Sequence, residues 1–219
     1  MESFAAFTEV IGHRMGNLLA SIEGHTDLLL PALNQPEDRE NAFHILDSVS
    51  RMNGILKDLK HYQDALDIRD HLMESDRLLG SILPLLADSE SKRLRVSSSL
   101  SDSLMVRVDE RLIRQALLSV LRNAFEATRS ETLAVSLMAD AMDDGQTIRF
   151  RIHSPIPIQD ENVRQKLFEP FYTTKAANLG LGLTMARRIF RAHGGDVRLT
   201  STEVETGTEF SCTLPRVLG

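Results

Sequence analysis

His13 is followed four residues later by Asn17, so the two share one face if the segment is helical. An imidazole nitrogen is a nucleophile toward phosphorus, and an exposed one can reach into another protein's active site. Far downstream, Gly180-Leu181-Gly182-Leu183 opens an amphipathic run, with Lys175 a few residues before it. Glycines at a helix start let backbone approach a phosphate, where free N–H groups and the helix dipole favour an anion. A nearby lysine adds a point charge. Between these regions Asn123 lies on a long segment with an apolar face, and a carboxamide oxygen is a reasonable ligand for a hard cation beside water and phosphate oxygens. No metal-ligand spacing competes with this reading: the seven histidines are scattered, without a cysteine or carboxylate cluster.

The elements that must position these residues are legible in the hydrophobic periodicity. In the first 66 residues two long helices are predicted. Phe4, Ile11, Met15, Leu18, Ile22 and Leu29 recur at helical spacing, and Ile45, Val49, Met52, Leu56, Leu59 and Leu66 repeat the pattern. The polar link Asn34-Gln35-Pro36-Glu37-Asp38 separates them, giving an antiparallel hairpin. His13 lies one step off the stripe, between Val10 and Asn17, so its ring is expected in solvent. A lone hairpin hides its stripes poorly, and two hairpins paired into a four-helix bundle hide both, so a homodimer is expected.

The charged stretch Asp67–Arg77 reads as a linker. The division expected is therefore residues 1–70 and 78–219. In the second part a helix is expected over Leu78–Leu86, strands over Arg95–Leu100 and Leu104–Val108, and a strong amphipathic helix over Glu110–Thr128. Strands over Leu133–Met138 and Thr147–Ile152 should flank the turn Asp143-Asp144-Gly145-Gln146. A short helix over Glu161–Leu167 precedes another over Leu183–Ala192, closed by Gly194-Gly195. A hairpin, Asp196–Thr202 and Glu209–Leu214, ends the chain. The fold class is an α-helical hairpin followed by an α+β sandwich, with helices on one face of a mixed sheet.

A net charge of −6 argues against a general nucleic-acid binder, which needs a basic face. The longest apolar run, Leu28–Leu33, is broken by Pro31 and is far shorter than the roughly 18 residues of a membrane span. No basic segment leads into an apolar core at the N-terminus, so no secretory signal is read. The single cysteine, Cys212, lies in an alternating strand-like run and is expected in the core. A cytoplasmic setting fits this cysteine usage.

Phe168-Glu169-Pro170-Phe171-Tyr172-Thr173-Thr174-Lys175 followed by Gly180-Leu181-Gly182-Leu183 resembles the nucleotide-binding domain of bacterial sensor histidine kinases. That domain is shared with gyrase and Hsp90-type ATPases. Upstream, His13-Arg14-Met15-Gly16-Asn17 resembles the family's phosphoacceptor motif, and Leu117–Ala127 resembles its Asn-containing helix. The resemblance covers nearly the whole chain. It implies that His13 is the phosphoacceptor and that Asn17 can orient water for dephosphorylating a partner. It implies that Asn123 helps hold magnesium, and that Lys175, Gly180 and Gly182 meet nucleotide phosphates. Phe168 and Phe171 would anchor the loop covering the nucleotide, which here is only Ala176-Ala177-Asn178. The implied partners are a second copy of the chain and the receiver domain of a response regulator.

The chain also departs from the family. Arg14 replaces an acidic residue that positions the histidine, and Leu18 replaces a helix-kinking proline. Ser119 replaces the first Asn of the Asn-containing helix. Asn178-Leu179 replaces a Gly-Thr. At His153-Ser154-Pro155-Ile156-Pro157-Ile158 the family carries Asp-x-Gly-x-Gly, whose Asp reads the adenine amino group; His153 or Ser154 takes that position. Prolines there fix φ and remove N–H donors. The expected function is phosphoryl exchange between His13 and a response-regulator aspartate, or regulation of that partner. ATP and Mg enter only if this pocket works. The alternatives are an ATP-dependent kinase autophosphorylating His13 and a non-catalytic pseudokinase scaffold.

Overall fold

The structure, a computed structural model, describes residues 2–100, 104–128, 133–142, 145–175 and 178–217, with residues 2–11 as backbone only. The side chains of Phe4, Val10 and Ile11 lie outside the described part, as do Asp143-Asp144 of the expected turn and Ala176-Ala177 of the expected covering loop. The chain divides into two compact units. One is Met1–Ala65 with Thr173–Leu181, the other Leu66–Tyr172 with Gly182–Gly219.

The first unit is built on α1 (Glu2–Leu29) and α2 (Pro36–Gln63). A single 3-10 turn, Leu30–Ala32, ends α1 at Pro31, which cannot continue the backbone ladder. Pro36 opens α2, where its missing N–H costs nothing. Glu37 and Asp38 in the first turn and Lys60 and His61 in the last complement the helix dipole. The seam between the helices is narrow: Leu19 and Thr26 of α1 and Ala42 and Val49 of α2 are buried, each pair seven residues apart. Leu18 and Ile22, expected on the packed stripe, are instead 65% and 46% exposed. The seam needs a spacing of seven, and Leu19 and Thr26 supply it. Leu18, Ile22, Leu29, Ile45 and Met52 form a second apolar stripe that the hairpin itself leaves uncovered.

The second unit is a layer of helices on one face of a mixed sheet. Its strands are β1 (His71–Glu74), β2 (Leu94–Ser98), β3 (Met105–Val108), β4 (Val135–Ala141), β5 (Thr147–Ser154), β6 (Asp196–Glu203) and β7 (Gly207–Pro215). The main sheet has the order β2-β4-β5-β7-β6, with β2 and β4 parallel and the other neighbours antiparallel. The charged stretch read as a linker folds in part: β1 pairs with β3, Met73 opposite Val106, and Met73 is buried. A strand this short carries too little alternation to stand out among its charges. The expected helix over Leu78–Leu86 is split into α3 (Ser75–Gly80) and a 3-10 turn at Leu83–Leu85, because Pro84 interrupts it. A four-residue helix, α4 (Asp88–Ser91), was not expected.

The helices that matter for the site are α5 (Glu110–Ala127) and α7 (Gly182–Ala192), with the short α6 (Glu161–Lys166) preceding the latter. Leu117, Val120 and Leu121 of α5 and Ile189 and Phe190 of α7 are buried with Ile148, Phe150 and Ile152 of β5 and Leu214 of β7. Cys212 is buried in the same core, as expected, and burial pushes its thiol pKa well up. Gly195 ends α7 against β7 so closely that a Cβ would fall 1.7 Å from the Thr213 carbonyl oxygen. Just beyond, burial of Asp196 pushes its pKa up, but hydrogen bonds from Arg187, Arg191 and Arg198 outweigh it and hold the carboxyl well below the usual range.

Candidate functional site

His13, Arg14 and Asn17 are all exposed on α1. Gly16, between them, has open space where a side chain would stand. Among the described residues, the imidazole thus stands exposed on α1 with an exposed carboxamide one turn on.

In the second unit, Ser119 and Asn123 lie one turn apart on α5, both half-buried. Gly182, the first residue of α7, comes so close that a Cβ would stand 2.7 Å from Ser119 Oγ. A glycine is thus required there by packing as much as by any ligand. The structure thus brings Gly182 to Ser119, which sequence spacing had left far apart. Lys175 and Gly180 belong to the first unit. Lys175 N–H donates to Thr173 Oγ1 at 3.0 Å, and Gly180 has φ +69°, a left-handed backbone that a side chain would strain.

Phe168 is anchored as expected. Its ring meets Phe210 edge-on at 6.3 Å, the Arg187 guanidinium lies 4.7 Å over it, and Thr184 Oγ1 donates to its carbonyl. Phe171, the other expected anchor, differs from Phe168 in exposure and backbone. It is exposed and has φ +64°, an uncommon conformation for a bulky side chain, just before Thr173–Leu181.

Side chains alternate between the two faces to the end of β5. Ile148, Phe150, Ile152 and Ser154 are buried on the helix-facing side, and His153 points to the other face, where its Nε2–H donates to the Thr206 carbonyl. Ser154, not His153, therefore faces the end of α5. Its Oγ lies 2.9 Å from Thr128 Oγ1, and Thr128 Oγ1 donates to the Ala124 carbonyl at 2.9 Å. With the threonine proton committed to that carbonyl, the serine must donate its own proton to the threonine. Ser154 Oγ in turn accepts the Ile156 N–H at 3.4 Å. It is an acceptor without charge.

Opposite Ser154 in the register is buried Thr208, which donates to the Ile156 carbonyl at 2.7 Å. Gly207, at φ +83°, brings β7 so near that a Cβ would lie 2.2 Å from the Ser154 carbonyl oxygen. Sequence reasoning did not find Thr128 or Thr208. Thr128 has no motif of its own, and the strand alternation that selects Ser154 over His153 becomes decisive only once the strand's extent is known.

Residues 108–218, just over half of the chain, match the family described as histidine kinase-, DNA gyrase B-, and HSP90-like ATPase. The signal transduction histidine-protein kinase AtoS of Escherichia coli is 26% identical over 213 residues, covering 94% of this chain and 34% of AtoS. Full-length ShkA, solved in complex with AMPPNP, superposes with a TM-score of 0.76 at 24% identity, over 98% of this chain and 46% of that one. The histidine kinase ThkA, solved with the response regulator protein TrrA, gives 0.69 at 23%, over 97% and 61%. The chain thus spans only part of the length of each of these. It belongs to the histidine kinase-, gyrase B- and HSP90-like ATPase family. Its N-terminal helices followed by an α/β sandwich are those of a sensor histidine kinase core.

Proposed function

We propose that this histidine kinase core works as a phosphotransfer partner in two-component signalling, exchanging a phosphoryl group between His13 and the aspartate of a response-regulator receiver domain. The observation that carries this reading is the exposure of His13 and Asn17 on one open face of α1. An imidazole nitrogen lone pair would form the P–N bond as the P–O bond to the aspartate breaks and returns a carboxylate. Asn17 would orient a water for the reverse regulatory task, removal of phosphate from the partner. ThkA, whose solved complex contains a response regulator, supports the choice of partner. The uncovered stripe of Leu18, Ile22, Leu29, Ile45 and Met52 supports a homodimer, with a second hairpin completing a four-helix bundle. No helix among the described residues is long and apolar enough to cross a membrane. A cytoplasmic location goes with this function.

The residues present fit an adenosine nucleotide only in part. Asn123 on α5 and the N-terminus of α7 at Gly182 would suit a magnesium-bound phosphate group. At the base end the candidate reader is Ser154, a neutral acceptor in place of a fixed anion, flanked by Pro155 and Pro157. The proposed exchange takes its phosphoryl group from the receiver aspartate and so does not require ATP. The second reading, ATP-dependent autophosphorylation of His13, is favoured by that same Ser154 oxygen. Beside the Ile156 N–H, that oxygen has a second lone pair that could accept from an exocyclic amino group. The non-catalytic scaffold remains the third reading, and it requires that His13 be dispensable.

Titration calorimetry of Mg-ATP into the purified chain separates the first two. Binding no tighter than millimolar is expected. Micromolar binding that is lost in Asn123→Ala would make autophosphorylation the better account.

A further inference from the structure

We propose that Asp109 and His193 form a latch that couples the segment following α2 to the two helices bearing the candidate nucleotide-site residues. Asp109 is 4% exposed and precedes α5; His193 is 8% exposed and follows α7. The carboxylate divides its oxygens between two backbone donors. Oδ1 accepts the Leu112 N–H at 3.1 Å and so caps α5, while Oδ2 accepts the Arg69 N–H at 3.0 Å and holds the segment behind α2. The Asp109 N–H in turn donates to His193 Nε2 at 3.1 Å. That nitrogen must therefore carry a lone pair, and the ring proton sits on Nδ1, which donates to the Ile189 carbonyl at 2.8 Å. One residue thus ties together the segment at Arg69, the start of α5 and, through one imidazole in a fixed tautomer, the end of α7.

These ties lead to the candidate site by a short path. α5 carries Ser119 and Asn123, and α7 begins at Gly182, whose Cα packs on Ser119. Releasing Arg69 would leave Oδ2 to the Arg111 guanidinium, 3.7 Å away and largely exposed, let the Asp109 carboxylate rotate about its cap toward it, and loosen the Asp109 N–H from His193. A state of the segment that moves Arg69 therefore biases the α5–α7 pair. By reciprocity, whatever orders α5 and α7 also orders Arg69. The latch does not depend on whether ATP is used, so its test is separate from that of the proposed function.

The experiment is hydrogen exchange, together with 15N chemical shifts of the imidazole, on the full chain. Asp109→Asn keeps a cap oxygen for Leu112 but turns an N–H toward Arg69. At least tenfold faster exchange of the Arg69 amide is expected, along with faster exchange in the last turn of α7. His193→Phe removes the acceptor without touching Arg69, and residues 66–70 should again exchange at least several-fold faster. Should His193→Phe fail to fold, Arg69→Pro deletes the donor together with the exposed Arg69–Asp67 ion pair, and Arg69→Ala, which removes that pair and keeps the N–H, is its control. In Arg69→Pro the His193 ring nitrogens should then move from a single Nδ1–H tautomer toward a mixture. The proposal is overturned if Asp109→Asn leaves the end of α7 unchanged, or if the His193 ring in Arg69→Pro keeps its wild-type shifts. Either result would make these two independent hydrogen bonds.

Discussion

Replacing His13 with alanine removes a side chain that no neighbour covers, so the fold and thermal stability should stay within about 0.5 kcal/mol of wild type while phosphotransfer is lost. Calorimetry and a transfer assay on the same preparation check both halves. Retained signalling in His13→Ala would favour the scaffold reading. Ser154 behaves differently because it is buried and bonded. Ser154→Ala withdraws the donor that Thr128 Oγ1 accepts, and a loss of about 1–2 kcal/mol in urea denaturation is expected. Thr128→Val combined with Ser154→Ala should cost less than the sum of the single changes, since both remove one contact. At this scale the sequence was legible in placement: His13 stands exposed on α1, and Gly182 opens α7, as their spacing implied. It was silent on Thr128 and Thr208, which owe their place to cross-strand register and to the end of α5. The choice between His153 and Ser154 needed only the parity of one strand, fixed by Ile148, Phe150 and Ile152.

The elements tell of two kinds of glycine. Gly182 meets the rotatable end of Ser119, so Gly182→Ala should cost on the order of 1–3 kcal/mol and be relieved in part by Ser119→Ala. Gly207 meets backbone and has positive φ, so no side-chain change can rescue Gly207→Ala, and a loss above about 2 kcal/mol is expected. Denaturation of the single and double variants measures both. The amphipathic α5 was readable nearly to the residue because its apolar face repeats over many turns. α3 and α4 were not, because elements of a single turn or so carry no periodicity and are held by tertiary contacts. The hairpin was legible as two helices but not in its seam, since Leu18 and Leu19 both lie on apolar spacings and only packing against Ala42 and Val49 selects Leu19. The exposed stripe gives its own prediction. Leu18→Asp with Ile22→Asp should convert a dimer to monomer in sedimentation while leaving the circular dichroism of the second unit intact.

For the whole molecule, charge is distributed so that several carboxylates are held ionised by arginines and backbone donors. For Asp196, Asp140 and Asp109, burial acts to raise the pKa. Arginine hydrogen bonds at Asp196 and Asp140, and the backbone N–H groups of Arg69 and Leu112 at Asp109, outweigh it and lower all three. A lowered folded-state pKa contributes stability that is present above the unfolded value of about 4 and lost as pH falls through the folded value. Thermal stability should therefore change little between about pH 7 and 5 and fall steeply below about pH 4. Arg187→Ala should flatten that acid limb by weakening the hold on Asp196. The family and the order of the two parts were visible in the sequence, because both follow from long periodic helices and a glycine-rich helix start. In the proposed exchange the direction of phosphoryl flow is set by a partner's aspartate, which no residue pattern in this chain carries. The most direct measurement is transfer itself. The purified chain is incubated with receiver domains phosphorylated on aspartate, and acid-labile phosphate on the chain is quantified for wild type and His13→Ala. Label on the wild type and none on His13→Ala is the predicted result. Equal label on both, or none on a folded wild-type dimer that accepts phosphate at His13 from Mg-ATP instead, would contradict it.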